Sequence, residues 1–600
     1  MVELVPSRPA PGENWWTDDP ALAALLAARL PAAVLKEAEP RLLALGAAAP
    51  ATIDALAREA DRDRPRLEGA RPHDVRFHPS YDHLRRAARE HEVFTLAWRP
   101  FAGAARAPRV LGFALGYLYA QAECGYFCPA CMTDGAAYVL SKRGGALRDR
   151  WVPRLVAKDV EGAAEGAMYL TERGGGSDVG GGTATTAAQD PDGTWRLTGE
   201  KWFASNCTAE VALALAHIPE RSGRATERPQ ALSGTSGAGP ERGGSERGTS
   251  EDGTGAAAGI EGLGLFLIPR DLPDGRPNPG LRIRRLKDKL GVTSMATGEV
   301  VLDAAEADLV AGPGEGFRAM ADMVNLSRLY NAIASVGIAR RALREGLRSA
   351  RSREAFGKPL ADHPLFMRGL LAIAVETEAA LAATLDVAEV FEAGEDAERG
   401  GTAEDTKRAT ALLRILTPCA KAVTARLAVR AASEACEWLG GVGYTEEYVT
   451  PRLLRDAQVL PIWEGTTNIQ ALELGKAIAR EGALAAFVSH VKTCQAAVSS
   501  ARLLPAIEAQ GRALMRLQKE AARLSQAPAA EREVASLRLL ETAFAVHAGA
   551  CLARAAAASP RLQRMTALHA ATALAQDREE AARAIERAAA SGEARTLLLG

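Results

Sequence analysis

The sequence predicts an α+β multidomain fold: an N-terminal helical domain, a small middle β-barrel or sandwich domain, a C-terminal helix bundle, and an extra C-terminal helical segment. Three observations carry this expectation. Apolar residues recur at threes and fours from 18 to 165, as in ALAALLAARLPAAVL and ATIDALAREA. From 166 to 311 the pattern becomes short β-rich runs, among them TWRLTGEKWFAS, VALALAHI, LGLFLIP and GEVVLDA, separated by Gly, Pro and Asp. Helical spacing returns after GPGEGF, fills 312–480, and continues through an Ala- and Arg-rich segment, 481–600. A chain of 600 residues is too long for one core, and domains of about 100–200 residues suggest three or four.

One piece of the β region does not fit it. Residues 219–259 contain ten glycines and no aromatic residue, too little apolar area to offset ordering entropy, so an exposed disordered insertion between two strands is expected. Hydrophobic residues make up 47% and charged residues 24% of the chain, and 73 basic against 74 acidic side chains give a net charge of −1. Nothing global points to nucleic acid or an anionic membrane. The segment 481–600 holds 15 Lys or Arg against 11 Asp or Glu, a balance of 15 − 11 = +4, so nucleic-acid contact there is possible but not favoured.

Eight cysteines in 600 residues argue against a disulfide framework and for a reducing compartment. Cys128 and Cys131 form a CxxC, but without further paired ligands they read as small apolar helix residues, and no metal site is expected. The N-terminus lacks a basic and an apolar signal region, and VLGFALGYLYAQA falls short of the roughly 20 residues needed to span a bilayer. A cytoplasmic protein is expected.

Three stretches carry chemistry. In PIWEGTTNIQ, 461–470, Thr467 and Gln470 have capping-box spacing, while Glu464 sits beside Ile462 and Trp463, where desolvation would make it a better proton acceptor. MYLTERGGGSDVGGG, 168–182, runs from an apolar strand into a glycine-rich loop whose N–H groups and hydroxyls suit an anion or a flat ring. GEKWFASN, 199–206, is a strand in which alternation puts Phe203 and Ser205 on one face and Trp202 on the other. A flavin could stack there, although core packing is the default for such rings.

Taken in order, T-E-x-x-x-G-S-D, K-W, R-x-x-F-G-K, L-G-G-x-G-Y, R-D-A and W-E-G-T resemble the acyl-CoA dehydrogenase family of flavoproteins over about residues 80–480. The Gly-Gly-Ser-Asp loop, LKDKLG at 286–291, Trp463 where many members have Tyr, and the C-terminal extension resemble its alkylation-response branch, typified by AidB. The resemblance implies FAD between the β domain and the second helical domain. Thr171, Gly176, Ser177, Phe203 and Ser205 match positions lining the isoalloxazine, with backbone help from Met168 and Leu170. Arg353 and Phe356 match the pyrophosphate and adenine side. Gly440 and Gly441 match the turn that receives a neighbouring subunit's cofactor, and Thr466 and Asn468 match further flavin contacts.

The resemblance also makes Glu464 the base that takes the α-proton of an acyl-CoA while the β-carbon passes hydride to flavin N5, giving trans-2-enoyl-CoA. An alternative base used by some members falls at Ser327, before Arg328, and is absent. Asn325, Arg328, Ser177 and Trp463 fall on the substrate side. Departures are Asn325 for a CoA-holding aspartate, Glu437 for a flavin-contacting glutamine and Ala355 for a threonine. A homodimer or homotetramer and an electron-transferring flavoprotein as acceptor are implied. Two alternatives stand: an AidB-like flavoprotein that binds duplex DNA with weak dehydrogenase activity, and a flavin oxidase or monooxygenase on the same fold.

Overall fold

The computed structural model describes residues 8–68, 74–219, 259–480 and 482–600. Apart from its two ends, the expected insertion at 219–259 lies outside the described residues. Helices run from Pro20–Ala27 to Ala146–Leu155, strands from Gly166–Tyr169 to Thr297–Ala311, and helices again from Gly316–Ser352 to Glu593–Leu599. One feature was not anticipated: Arg66–Leu67 pairs antiparallel with Val75–Arg76 inside the first helical region. Arg109–Ala120, the expected apolar run, is a helix buried on every side, and no described helix is long and apolar enough to cross a membrane. Cys128 and Cys131 are free, buried and helical, on Phe127–Arg143.

The middle region is a barrel. Val211–His217, Thr186–Gln189, Trp195–Ser205, Thr297–Ala311 and Leu263–Pro269 pair in that order, and the last returns to the first, so the sheet closes. Closure removes the edges that short strands would otherwise expose. Gly166–Tyr169 lies outside this ring, parallel to Val211–His217, and Leu281–Leu286 pairs with Thr297–Ala311. The barrel interior is a separate core built around Tyr169, Leu197, Phe266, Ile268 and Val300.

Three helices of 37 residues, Gly316–Ser352, Pro364–Gly400 and Ala403–Leu439, form the C-terminal bundle. They approach closely where a side chain is missing: a Cβ on Gly346 would lie 2.4 Å from the Trp438 indole, and Ser349 Oγ donates to the Trp438 carbonyl at 2.9 Å. Of the later helices, Ala529–Ala555, Pro560–Thr572, Arg578–Ala590 and Glu593–Leu599 pack back on Pro364–Gly400, with Arg561 paired to the buried Glu378.

A buried charge network ties the first helical region to the bundle. Asp54 Oδ1 accepts from Arg341 Nη1 and from Arg452 Nη2, each at 2.9 Å, and Arg341 Nε also donates to Glu345 at 2.6 Å. Burial alone would raise the Asp54 carboxyl, but Arg341, Arg452 and Arg58 hold it below the usual carboxylate range. Removing one member of such a network leaves buried charge uncompensated. Asp54→Ala is therefore expected to cost about 3–5 kcal/mol in urea unfolding and Asp54→Asn less; equal, sub-kilocalorie losses would show that the guanidinium groups are solvated.

Candidate active site

Glu464 lies in a turn between Thr450–Ala457 and Thr467–Arg480, and its φ of +56° is left-handed, as is that of Gly465 at +94°. A non-glycine residue in that region costs about 1–2 kcal/mol, so the turn must be held from outside. Three donors hold it. Arg328 Nε donates to the Glu464 carbonyl at 3.0 Å, Lys421 Nζ to the Gly465 carbonyl at 2.6 Å, and Gln470 Nε2 to both, at 3.0 and 3.1 Å. The capping-box expectation is thus corrected: the Gln470 amide is turned onto the two carbonyls, and its main-chain N–H makes the first helical bond, to Thr466.

The cations grip the main chain: Arg328 and Lys421 spend these hydrogen bonds on the two carbonyls and not on the Glu464 carboxylate. Glu464 is half-buried, and the burial of its carboxyl pushes it up to about 7, opposed by Arg328 and Lys421. Burial likewise lowers the Lys421 ammonium to about 7, with Glu464 pulling the other way. Trp463 packs against the main core on one side of the base. Cys131 lies within electrostatic reach of Glu464 and next to Ser327, the alternative-base position, which is buried. Two residues along the same helix, Thr133 Oγ1 accepts from the Gly166 N–H at 3.0 Å, so one helix runs from near Glu464 to the strand that leads into the glycine-rich loop.

The loop has its own anchor. Glu172 Oε1 takes Lys201 Nζ at 2.5 Å and Thr185 Oγ1 at 2.6 Å, its Oε2 takes the Ala184 N–H at 2.7 Å, and Lys201 also donates to the Leu215 carbonyl at 2.9 Å. The sequence elements T-E and K-W are therefore held by one buried pair. Gly175 meets Gly182 so closely that a Cβ on either would lie 2.6 Å from the other's Cα. Met168 is buried on the strand, Leu170 and Thr171 are half-buried, and Gly176 and Ser177 are exposed on the loop. The Thr171 carbonyl accepts from the Trp202 N–H at 2.9 Å, which sets Phe203 and Ser205 beside the loop. Strict alternation fails at this point. An irregularity in pairing between Lys201 and Ala204 turns the strand, and Lys287 Nζ sits 3.4 Å from the Trp202 ring centre and 4.7 Å from that of Phe203.

Arg353 and the glycine turn also meet: Arg353 Nη1 donates to the Leu439 carbonyl at 3.1 Å, and a Cβ on Gly440, whose φ is +69°, would lie 3.0 Å from that nitrogen. Phe356 is at the tip of the hairpin Glu354–Ala355 with Lys358–Pro359, 97% exposed, and Tyr444 beyond Gly441 is 89% exposed. Glu437, Gly441, Thr466 and Asn468 are exposed. Arg328 Nη1 donates to Asn325 Oδ1 at 3.2 Å, and a cavity of about 110 Å³ opens beyond this pair, lined by Asn325, Arg328, Phe391, Arg414 and Pro418. Arg328 thus positions the Glu464 turn. Lys421 and Gln470 escaped sequence reasoning as site residues; the signal for Lys421 was a lone lysine on an apolar helical face.

Residues 314–479 match the acyl-CoA dehydrogenase C-terminal domain, and residues 7–161 match the adaptive response protein AidB N-terminal domain. Acyl-CoA dehydrogenase family member 11 of Caenorhabditis elegans is 31% identical over 84% of this chain and 78% of its own length. The chain belongs to the acyl-CoA dehydrogenase family. It is thus an oxidoreductase of a family that acts on acyl-CoA and whose cofactor is FAD. The putative acyl-CoA dehydrogenase AidB of Escherichia coli K12 is 33% identical over 68% of this chain and 67% of its own. Among solved structures, Caenorhabditis elegans ACDH-11 in complex with C11-CoA superposes with a TM-score of 0.83 at 28% identity, covering 97% of this chain and 95% of its own. The apo form of Bd2924 gives 0.76 at 31%, covering 92% and 99%.

The raised Glu464 carboxyl has a consequence for stability. Its folded value, about 7, lies above the ordinary 4.5, so the folded state binds the proton more tightly. That contribution is whole below pH 4.5 and is lost as pH rises through about 7. Glu464→Gln is expected to gain about 3 kcal/mol over the parent between pH 4.5 and 8 in urea titrations. Parallel pH curves would mean a solvated carboxylate.

Proposed function

We propose that this chain is a FAD-dependent acyl-CoA dehydrogenase that converts an acyl-CoA thioester to trans-2-enoyl-CoA with Glu464 as base. The observation that carries the proposal is a carboxylate raised to about 7 by burial, in a turn whose carbonyls, and not its carboxylate, take the hydrogen bonds from Arg328 and Lys421. A base so placed is half-ionised near neutral pH and keeps most of its proton affinity for the substrate α-carbon.

The residues present fit the family's cofactor. Phe203 is 54% exposed on the strand that the Thr171 carbonyl ties to the glycine-rich loop, an open apolar ring that suits stacking by an isoalloxazine, for which Thr171, Ser177 and Ser205 would supply hydroxyls. Met168 and Leu170 would contribute main-chain groups, Gly176 close approach, and Thr466 and Asn468 polar contacts from the base turn. Arg353 would take the pyrophosphate, with Phe356, Glu437, Gly440 and Gly441 at the face met by a neighbouring subunit. When bound, the flavin supplies the hydride acceptor for the β-carbon. Trp463 and the turn's three donors then fix the carboxylate in place while the α-proton moves to it.

An acyl thioester substrate is supported by the C11-CoA complex of the Caenorhabditis elegans structure. The exposed Phe356 and Tyr444 support a homo-oligomer, dimer or tetramer, in which these rings are covered. An electron-transferring flavoprotein would reoxidise the cofactor. A DNA-binding role is less well supported, because the C-terminal segment's net charge is only +4 and six of its 15 basic side chains, Arg523, Arg538, Arg554, Arg561, Arg564 and Arg583, already face carboxylates of this chain.

Anaerobic addition of an acyl-CoA panel to the flavin-loaded protein is expected to bleach the visible flavin band. The rate should rise with pH through about 7, as the base ionises. Glu464→Gln should slow it about 10²–10⁴-fold with flavin content unchanged. Bound flavin that no thioester reduces would end the dehydrogenase reading. Separately, Phe356→Asp is expected to shift the protein to smaller species in sedimentation velocity and to lower its flavin content; an unchanged oligomer would exclude the hairpin tip from the interface.

A further inference from the structure

Outside the active site, five side chains with metal-binding chemistry converge between the bundle and the C-terminal extension. Asp386 comes from the middle of Pro364–Gly400, His490 and Cys494 from Ala483–Ala496, and His547 and Cys551 from Ala529–Ala555. On both extension helices the His and Cys are four residues apart, which places them on one face. Asp386, Cys494, His547 and Cys551 are buried. The ligating atoms of Asp386, His490 and His547 lie within 4.8 Å of one another, as do those of Asp386, Cys494 and Cys551. Asp386 Oδ2 is 2.7 Å from His490 Nε2 and 2.8 Å from His547 Nε2, and Cys494 Sγ is 3.9 Å from His490 Nε2.

We propose that this cluster is a structural site for a zinc-class divalent ion, which fastens the C-terminal extension to the dehydrogenase bundle. Two imidazoles and two thiols supply the N and S ligands such an ion prefers, and Asp386 lies in reach as a further anionic ligand. Metal–sulfur bonds of about 2.3 Å and metal–nitrogen bonds of about 2.0 Å in a tetrahedron put neighbouring ligand atoms about 3.6 Å apart. The Cys494–His490 separation is already near that value, the two contacts to Asp386 would open by under about 1 Å, and the other pairs within each trio, no more than 4.8 Å apart, would close by about 1 Å at most. Charge also balances. A divalent ion and Arg554, whose Nη2 is 3.1 Å from Asp386 Oδ1, offset two thiolates and one carboxylate. A hydrogen-bonded cluster without an ion would account for Asp386 and the two histidines, but it gives two buried thiols no partner beyond weak S–H donation. Cys494 and Cys551 are free thiols in this structure.

The test is metal analysis of the full-length protein. Protein purified from zinc-supplemented medium and desalted is expected to carry about one zinc per chain, stripped by a mercurial thiol reagent. After removal of zinc, Co²⁺ should give thiolate-to-metal charge-transfer bands in the near ultraviolet and ligand-field bands in the visible. The Cys494→Ser, Cys551→Ser double variant and His547→Gln are each expected to weaken zinc binding about 10–100-fold in chelator competition. If these variants fail to fold, the cobalt spectrum of the unmodified protein decides alone. The proposal is overturned by unmodified protein that binds neither zinc nor cobalt, by zinc that persists undiminished in folded variants, or by alkylation and intact mass showing Cys494 and Cys551 joined as a disulfide.

Discussion

The two carbonyls at 464 and 465 are the point on which the catalytic half of the molecule converges. Arg328, Lys421 and Gln470 come from three helices spread over 142 residues of sequence, and each ends on this turn. A left-handed Glu464 next to a left-handed Gly465 has no intrinsic reason to persist, so the donors are what keep it. Their aim matters as much as their presence. Had Arg328 or Lys421 bonded the carboxylate directly, the ionised form would be favoured and the base weakened. Spent on main-chain carbonyls, the same cations supply rigidity and only a modest field, and burial dominates the carboxyl.

The cofactor half follows a different logic. A glycine-rich loop has little intrinsic order, and its N-terminal end is fixed by an ion pair, Glu172 with Lys201, from which water is excluded. Burial pulls the pair's members toward their neutral forms, but each has further bonds, Glu172 to Thr185 and Ala184 and Lys201 to the Leu215 carbonyl, so no charge is left unsatisfied. The loop tip, with Gly176 and Ser177 exposed, is thereby free to meet a ligand while its root is rigid. Phe127–Arg143 couples the halves, touching Gly166 through Thr133 and lying near Glu464 through Cys131.

Much of this could be read from the residues, and the exceptions have physical causes. Helical periodicity locates the long helices because burial on one or more faces imposes a period of 3.6, and the clustered short runs locate the barrel strands. Barrel closure is a property of pairing between distant strands and leaves no local mark. Alternation misplaces Trp202 because the pairing shifts between Lys201 and Ala204. The Thr467 and Gln470 spacing suits a capping box, yet two strained carbonyls nearby compete for the Gln470 amide and win it. Lys421 looks like a misfit on an apolar face until the turn it serves is in place. The same holds for His490, Cys494, His547 and Cys551: on each helix the pair is one helical turn of ordinary spacing, and only the packing of two helices against Asp386 gives it meaning.

The extension is in a position to matter to the Glu464 turn. The helix that leaves the Glu464 turn, Thr467–Arg480, lies against Ala529–Ala555, closely enough that a Cβ on Gly475 would meet the Ser536 Cβ at 3.7 Å. Ala529–Ala555 carries His547 and Cys551 and reaches the bundle at Asp386, with Arg554 adding a pair to Glu389. Gln470 is therefore backed by a helix that is itself fastened to Pro364–Gly400. A carboxyl raised by burial depends on packing that does not breathe, since water admitted beside Glu464 would lower its proton affinity and let the left-handed turn relax. The extension thus buttresses the helix that follows the Glu464 turn, which gives the additional helices a physical task in holding Thr467–Arg480 against the bundle.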